Sequence, residues 1–225
     1  RFSDMIRQRA AGQPVAYLTG QREFWSLNFA VTPDSLIPRP ETELLVDRTL
    51  ALLTDNKTLR VADLGTGSGA VAIALAHERR CWRLYAIDQS LKCVKLAQGN
   101  ARRLNVDNLC FINADWSTAL ADRSFDAIVS NPPYIADQDP HLQQGDVCFE
   151  PASALTAGPQ GLDELRCLIK DAPRVLVPGG WIVLEHGMNQ ATSIRKLLND
   201  MAFTNIATTR DLAGLERVSC AQKPA

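Results

Sequence analysis

The feature that narrows the fold most is a turn. Asp63-Leu64-Gly65-Thr66-Gly67-Ser68-Gly69 stands between two apolar runs, LRVADL (59–64) and AVAIALA (70–76). Glycines at alternate positions let the chain reverse sharply and let a ligand approach the backbone, while a helix starting just after them aims its first N–H groups at the turn. The rest of the chain repeats the strand-then-helix pattern. WRLYAID (82–88) runs into an amphipathic stretch from Ser90 to Leu104, and LCFI (109–112) and FDAIVS (125–130) read as further buried strands. A helix from Leu162 to about Val177 is expected to stop at Pro178-Gly179-Gly180, ahead of the strand WIVLE, and Met188 to Met201 reads as helix. Such alternation predicts an α/β fold, a mostly parallel sheet with amphipathic helices on both faces. The tail, FTNIATTRD followed by LERVSCAQ, predicts an antiparallel hairpin at the sheet edge.

Upstream, Phe2, Met5, Ile6 and Arg9 recur at helical spacing up to Gly12-Gln13-Pro14. Trp25, Leu27, Phe29 and Val31 alternate with smaller residues, as in a half-buried strand or hairpin arm. Pro40, Glu41 and Glu43 then suit the first turn of a helix through LLVDRTLALL. With 24 Lys plus Arg against 25 Asp plus Glu, the chain has no overall positive field for a polyanion, so a nucleic acid held through its phosphates is not expected. The six cysteines and three histidines are scattered, without the short spacings of metal or disulfide modules; free thiols, no metal site and a cytoplasmic location are expected. No apolar run approaches the roughly 20 residues of a membrane helix, so no membrane association is expected.

Three further positions carry chemistry. Asp88 closes the next strand, where an acidic side chain accepts bonds from ribose hydroxyls, so turn and carboxylate together point to an adenosine-containing ligand. Gly65-x-Gly67-x-x-Ala70 also fits a dinucleotide fingerprint, which leaves a nicotinamide cofactor open. Asp115-Trp116 offers a carboxylate for an exocyclic amine and an indole to cover a ring. Asn131-Pro132-Pro133-Tyr134 follows the strand FDAIVS directly, at the rim where ligands of open α/β sheets sit. The Asn oxygen and a stiffly held carbonyl of the Pro-Pro segment make two acceptors for an NH2 group, and the Tyr ring offers a flat face to a planar amide or base. An amide nitrogen is a poor nucleophile, and holding both its hydrogens can aim it at an electrophilic methyl.

The set DLGTGSG, AID, ADW and SNPPY resembles the Rossmann-like class I methyltransferases that use S-adenosylmethionine, a mostly parallel seven-stranded sheet with a C-terminal antiparallel hairpin. PVAYLTG (14–20), LIPRPETE (36–43), FEPASAL (149–155), Gly161-Leu162 and LEHG (184–187) extend the likeness over nearly the whole chain, to the peptide-chain release factor glutamine methyltransferases of the HemK family. The resemblance implies methyl transfer to the side-chain amide of the Gln in the Gly-Gly-Gln motif of class I release factors, supporting translation termination, with S-adenosylhomocysteine as product. It divides the chain into residues 1–11, the end of a mostly missing helical N-terminal domain, 12–36, a linker and hairpin, and 37–225, a methyltransferase domain. By matching position it assigns Gly65, Thr66, Gly67, Ser68, Gly69, Asp88, Asp115, Trp116 and Asn131 to the cofactor. Asn131, Pro132, Pro133 and Tyr134 go to the substrate amide, with Asn131, Pro132 and Tyr134 as the catalytic set. A monomer is expected. Alternatives are a glutamine methyltransferase of a ribosomal protein, an amino-methyltransferase of nucleic-acid bases, or a non-catalytic adenosine-binding module. For Arg39, Glu41, Glu150 and Glu185, a buried ion-pair network is favoured over contact with the peptide.

Overall fold

The computed structural model describes residues 2–53 and 57–225; Arg1, the first residue of the expected 1–11 segment, lies outside them. Helices α1 (Phe2–Ala10) and α2 (Val15–Thr19) lead into a hairpin of β1 (Gln21–Phe24) and β2 (Leu27–Ala30). A 3-10 turn (Pro40–Thr42) opens α3 (Glu43–Leu52). Then follow β3 (Arg60–Leu64), α4 (Ala70–Glu78), β4 (Arg83–Asp88), α5 (Leu91–Arg103), β5 (Leu109–Asn113) and β6 (Phe125–Ser130). The chain finishes with α6 (Asp163–Val175), β7 (Leu176–Glu185), α7 (Ala191–Asp200), β8 (Thr204–Arg210) and β9 (Glu216–Gln222).

Seven strands form one sheet in the order β5-β4-β3-β6-β7-β9-β8. The first five run parallel, and β9 pairs antiparallel with both β7 and β8. Period-two side-chain alternation splits the core between the two faces. Val61, Leu84, Ala127, Val129 and Val183 pack with α3, α4 and the hairpin residues Phe24 and Phe29, whereas Ala62, Leu64, Ile128, Ile182 and Leu184 pack with α6 and α7. From β3 the chain winds outward through β4 to β5, then returns to β6 on the other side of β3. The reversal leaves a crevice at the C-terminal ends of β3 and β6, the switch point at which open α/β sheets take ligands.

Four expectations need correcting. Helix α4 is not amphipathic: Ala70 through Ala76 are all buried, because α3 covers the side of it that faces away from the sheet. Strand β5 is not a buried strand but an edge strand, with Cys110 and Asn113 exposed. Helix α6 ends at Val175, and Pro178-Gly179-Gly180 lies inside β7; the register against β6 jumps from Phe125↔Leu176 to Ala127↔Trp181, so the Pro sits at an irregularity, where a strand tolerates it. Trp25 is not a strand residue. It forms the hairpin corner with Ser26, both at positive φ, and its backbone N–H and indole N–H donate to Glu43 and Glu78 at 2.8 and 3.0 Å. No helix among the described residues is long and apolar enough to cross a membrane.

Candidate active site

At the switch point lies a cleft of about 1120 Å³, counted out to its open mouth. Gly65, Thr66, Gly67, Ser68, Asp88, Asp115, Trp116, Asn131 and Pro133 line it, as do Asp63 from the end of β3 and Thr42 from the 3-10 turn. Of the expected site residues, Gly69, Pro132 and Tyr134 are not on its wall. Gly69 is a packing residue: at φ +84° a Cβ there would come within 2.9 Å of Ala97 and Ile73. Pro132 is buried under the rim, and Tyr134 packs half-buried against the core on the α6 side.

The glycine turn is held from within. The amides of Gly65 and Thr66 donate to the Ile87 carbonyl, both at 2.9 Å, and that of Gly69 to the Thr66 carbonyl at 2.8 Å. The Gly67 amide donates to Asp88 Oδ2 at 2.9 Å, while Asp88 Oδ1 accepts from the Ser90 amide at 2.8 Å. Asp88 therefore braces the turn with one lone pair of each oxygen and keeps a second pair on each for a ligand. Burial raises its pKa, against the pull of the Ser90 and Gly67 amides. What the glycines contribute is close approach, since the amides of all three are already committed. The Trp116 ring rests on Gly65, where a Cβ would meet it at 3.1 Å, and its indole N–H donates to Glu164 at 2.8 Å.

Asn131 emerges from β6, whose end is tied to β3 by the Ser130 hydroxyl donating to the Leu64 carbonyl at 2.6 Å. Its Nδ2 donates to Thr42 Oγ1 at 3.0 Å. Behind it the Tyr134 hydroxyl donates to Glu185 Oε1 at 3.2 Å. The Glu185 carboxyl is buried and its Oε2 has no hydrogen-bond partner. Burial pushes its pKa up to about 7, with Thr42, Tyr134 and Arg217 opposing and Glu41 adding to the rise. Burial likewise pushes Asp63 up to about 7, although its Oδ2 accepts from Thr66 and the Ala72 amide. The expected ion-pair network splits in two. Arg39 pairs with buried Glu150, which also accepts from the Ile37 amide at 2.9 Å, and this pins the segment before α3. Glu185 belongs instead to a cluster of hydroxyls, and Glu41 is exposed.

Sequence reasoning missed Thr42, Glu164, Gly161 and Gln190. Gln190 Nε2 donates to the Tyr134 carbonyl at 2.9 Å and to that of Gly161 at 3.0 Å, which locks the segment after Asn131 from a helix start nearly 60 residues away. Thr42 and Gly161 lie inside the motifs LIPRPETE and Gly161-Leu162; Glu164 and Gln190 carry no local signal.

A family model described as the methyltransferase small domain matches residues 41–160. The release factor glutamine methyltransferase of Coxiella burnetii is 48% identical over 222 residues, covering 99% of this chain and 79% of that protein. The chain belongs to the release factor glutamine methyltransferase family. Relatives of the same name from Pseudomonas aeruginosa and Escherichia coli K12 are 49% and 46% identical, over 99% and 96% of this chain and 80% and 77% of theirs. Among solved structures, the catalytic domain of hMettl16 in complex with MAT2A 3′UTR hairpin 6 shares the fold at a TM-score of 0.71 and 19% identity, covering 98% of this chain and 82% of that one. A ribosomal protein L11 methylase from Lactobacillus delbrueckii does so at 0.63 and 20%, over 85% and 82%. Family membership and fold agree with the methyltransferase reading of the sequence.

Proposed function

We propose that this enzyme transfers a methyl group from S-adenosylmethionine to the side-chain amide nitrogen of a glutamine in the Gly-Gly-Gln motif of class I release factors. The observation that carries the cofactor half is the charge of the cleft. Among its described lining residues are Asp34, Asp63, Asp88, Asp115 and Glu164, and no Lys or Arg. A nicotinamide dinucleotide brings a doubly negative pyrophosphate into that field, whereas S-adenosylmethionine brings a sulfonium and an ammonium against one carboxylate. Opposite charge favours the second. The donor set fits: Asp88 has free lone pairs for ribose hydroxyls, and Trp116 and Asp115 stand together for a ring with an exocyclic amine. Bound there, the cofactor supplies an electrophilic methyl.

The chain's own residues do the positioning. Asn131, with Nδ2 turned to Thr42, has Oδ1 left to accept from the substrate NH2, and the stiff Pro132-Pro133 backbone provides a second acceptor. Holding both hydrogens orients the nitrogen and favours charge developing on it during transfer. The names of the relatives supply the substrate class.

Incubation with labelled S-adenosylmethionine and, separately, a release factor, a ribosomal protein and an adenine-containing oligonucleotide tests this. Mass spectrometry should place one added methyl on the Gly-Gly-Gln glutamine. Methylation confined to the ribosomal protein or to the base would sink it.

A further inference from the structure

Holding a substrate NH2 through Asn131 requires the right end of a nearly symmetric side chain to face the cleft. Rotating an Asn amide by 180° swaps Oδ1 for Nδ2 with little change of shape, and only its hydrogen-bond partners decide between the two. A swapped Asn131 would present a donor to a donor. Its partner here is the Thr42 hydroxyl, at 3.0 Å from Nδ2. A hydroxyl can donate as well as accept, so alone it could satisfy either orientation. Thr42 is buried, however, and its hydroxyl favours the charged form of the buried Glu185 carboxyl. An ionised carboxylate only accepts. With Glu185 ionised, the Thr42 hydrogen is drawn to it, the Thr42 lone pairs face Asn131, and the Asn131 amide has one acceptable orientation.

We propose that Thr42, polarised by Glu185, is a positioning residue that fixes the Asn131 amide with its oxygen toward the substrate. The inference rests on the reading of Asn131 as the group that holds the substrate amide. Tyr134 takes part from the other side, donating to the same carboxylate at 3.2 Å. The charged or titratable groups facing Glu185 are Tyr134 from the segment after β6, Arg217 from β9, and Glu41 from the turn that carries Thr42.

The test is single-turnover methyl transfer to a purified release factor, with KM for that protein and cofactor affinity measured alongside, for Thr42→Val, Thr42→Ser, Asn131→Ala and the Thr42→Val, Asn131→Ala pair. Thr42→Val keeps the shape and removes the hydroxyl. It should slow transfer about 10- to 100-fold, less than the roughly 100- to 1,000-fold for loss of a group touching the reacting centre, because Thr42 acts through Asn131, with KM and cofactor affinity nearly unchanged. Thr42→Ser should restore the rate to within about threefold of wild type, because it keeps the hydroxyl. On the Asn131→Ala background, Thr42→Val should have almost no further effect, since the two act as a unit. Wild-type transfer by Asn131→Ala would remove the amide-holding reading and this proposal with it. A slow Asn131→Ala beside a fast Thr42→Val, no rescue by Ser, or defects that multiply in the pair would overturn the role of Thr42 and leave that reading standing. If Thr42→Val does not fold, Thr42→Ala replaces it in every comparison. Glu185→Gln adds a second readout: an amide can donate to Thr42, so its transfer rate should fall and lose the rise with pH that ionisation of Glu185 gives the wild type.

Discussion

At the scale of single residues, the cleft separates groups that bind from groups that aim. Asp88 serves ligand and turn together, so Asp88→Ala should weaken S-adenosylmethionine binding by about 1.5–3 kcal/mol, the scale for losing bonds to a charged acceptor. It should also lower the melting temperature, because the Gly67 and Ser90 amides lose their partner. Calorimetry and a melting curve read the two effects; intact affinity with collapsed turnover would remove the ribose role. Asn131→Ala should do the opposite, with transfer down about 100- to 1,000-fold and cofactor affinity and release-factor docking nearly unchanged. The Tyr134 hydroxyl is not idle, as a pure stacking role would have it, since it supplies a hydrogen bond to Glu185. Tyr134→Phe should therefore cost about 1 kcal/mol of stability and less than about tenfold in rate, and Tyr134→Ala far more in rate, since only the latter removes the ring. Equal rate defects in the two would make the hydroxyl, not the ring face, the working part.

Elements show how much of this was legible in the sequence. The strands β3, β4 and β6 and the turns after them could be read because a buried parallel strand is a short apolar run, and a glycine turn or a Pro-Pro pair ends it abruptly. Thus Gly65–Ser68, Asp88 and Asn131 could be placed at one rim from the sequence. Contacts across the chain could not. Thr42 and Asn131 are 89 positions apart, Trp116 and Glu164 are 48, and nothing local in either partner announces the other. Helix α4 misled because its all-round burial depends on α3, and Pro178-Gly179-Gly180 misled because a strand irregularity and a helix stop use the same residues. Gly161 lies between these cases, visible as a motif but without a reason. At φ +66° a Cβ there would come 2.2 Å from the Tyr134 carbonyl oxygen, so the loop before α6 must be glycine to close on the segment after β6. Gly161→Ala should force that segment to shift, reducing transfer at least tenfold at a stability cost of about 1–3 kcal/mol, the scale for a strained positive-φ position. Unfolding curves and single-turnover rates check it; wild-type transfer would show that the segment tolerates displacement.

For the whole molecule, an acidic cleft and a buried carboxyl behind it make stability depend on pH in an unusual direction. Asp63 and Glu185 are both held up to about 7, from 3.8 and 4.5. Above those lower values the unfolded chain has released protons that the folded chain still binds, so between about pH 4 and 7 these two groups lower stability as pH rises. At 1.36 kcal/mol per unit, Glu185 alone accounts for about 3 kcal/mol across that window. His186 works the other way: buried and bonded to Ser219 and the Gly187 carbonyl, it has a lowered pKa, so it adds stability as pH rises toward 6.5. Asp139, Asp171 and Asp211 have lowered pKa values, and their contributions are already complete above 3.8. Burial raises Asp88 and Glu150 in the same direction as Asp63 and Glu185, so with four acids against one histidine the ligand-free protein should melt lower at about pH 7.5 than at about pH 5.5, and Glu185→Gln should flatten the decline because an amide does not titrate. S-Adenosylmethionine should act most strongly at the upper end. A cationic ligand favours ionised Asp63, which has already lost its proton at high pH and must release it at low pH, so affinity should rise through about pH 7 with proton release on binding below it. Calorimetry in buffers of different ionisation enthalpy measures that release, and Asp63→Asn should abolish it. Proton uptake on binding, or affinity unchanged from about pH 5.5 to 7.5, would show that the ligand's charge does not meet the carboxylates of the cleft.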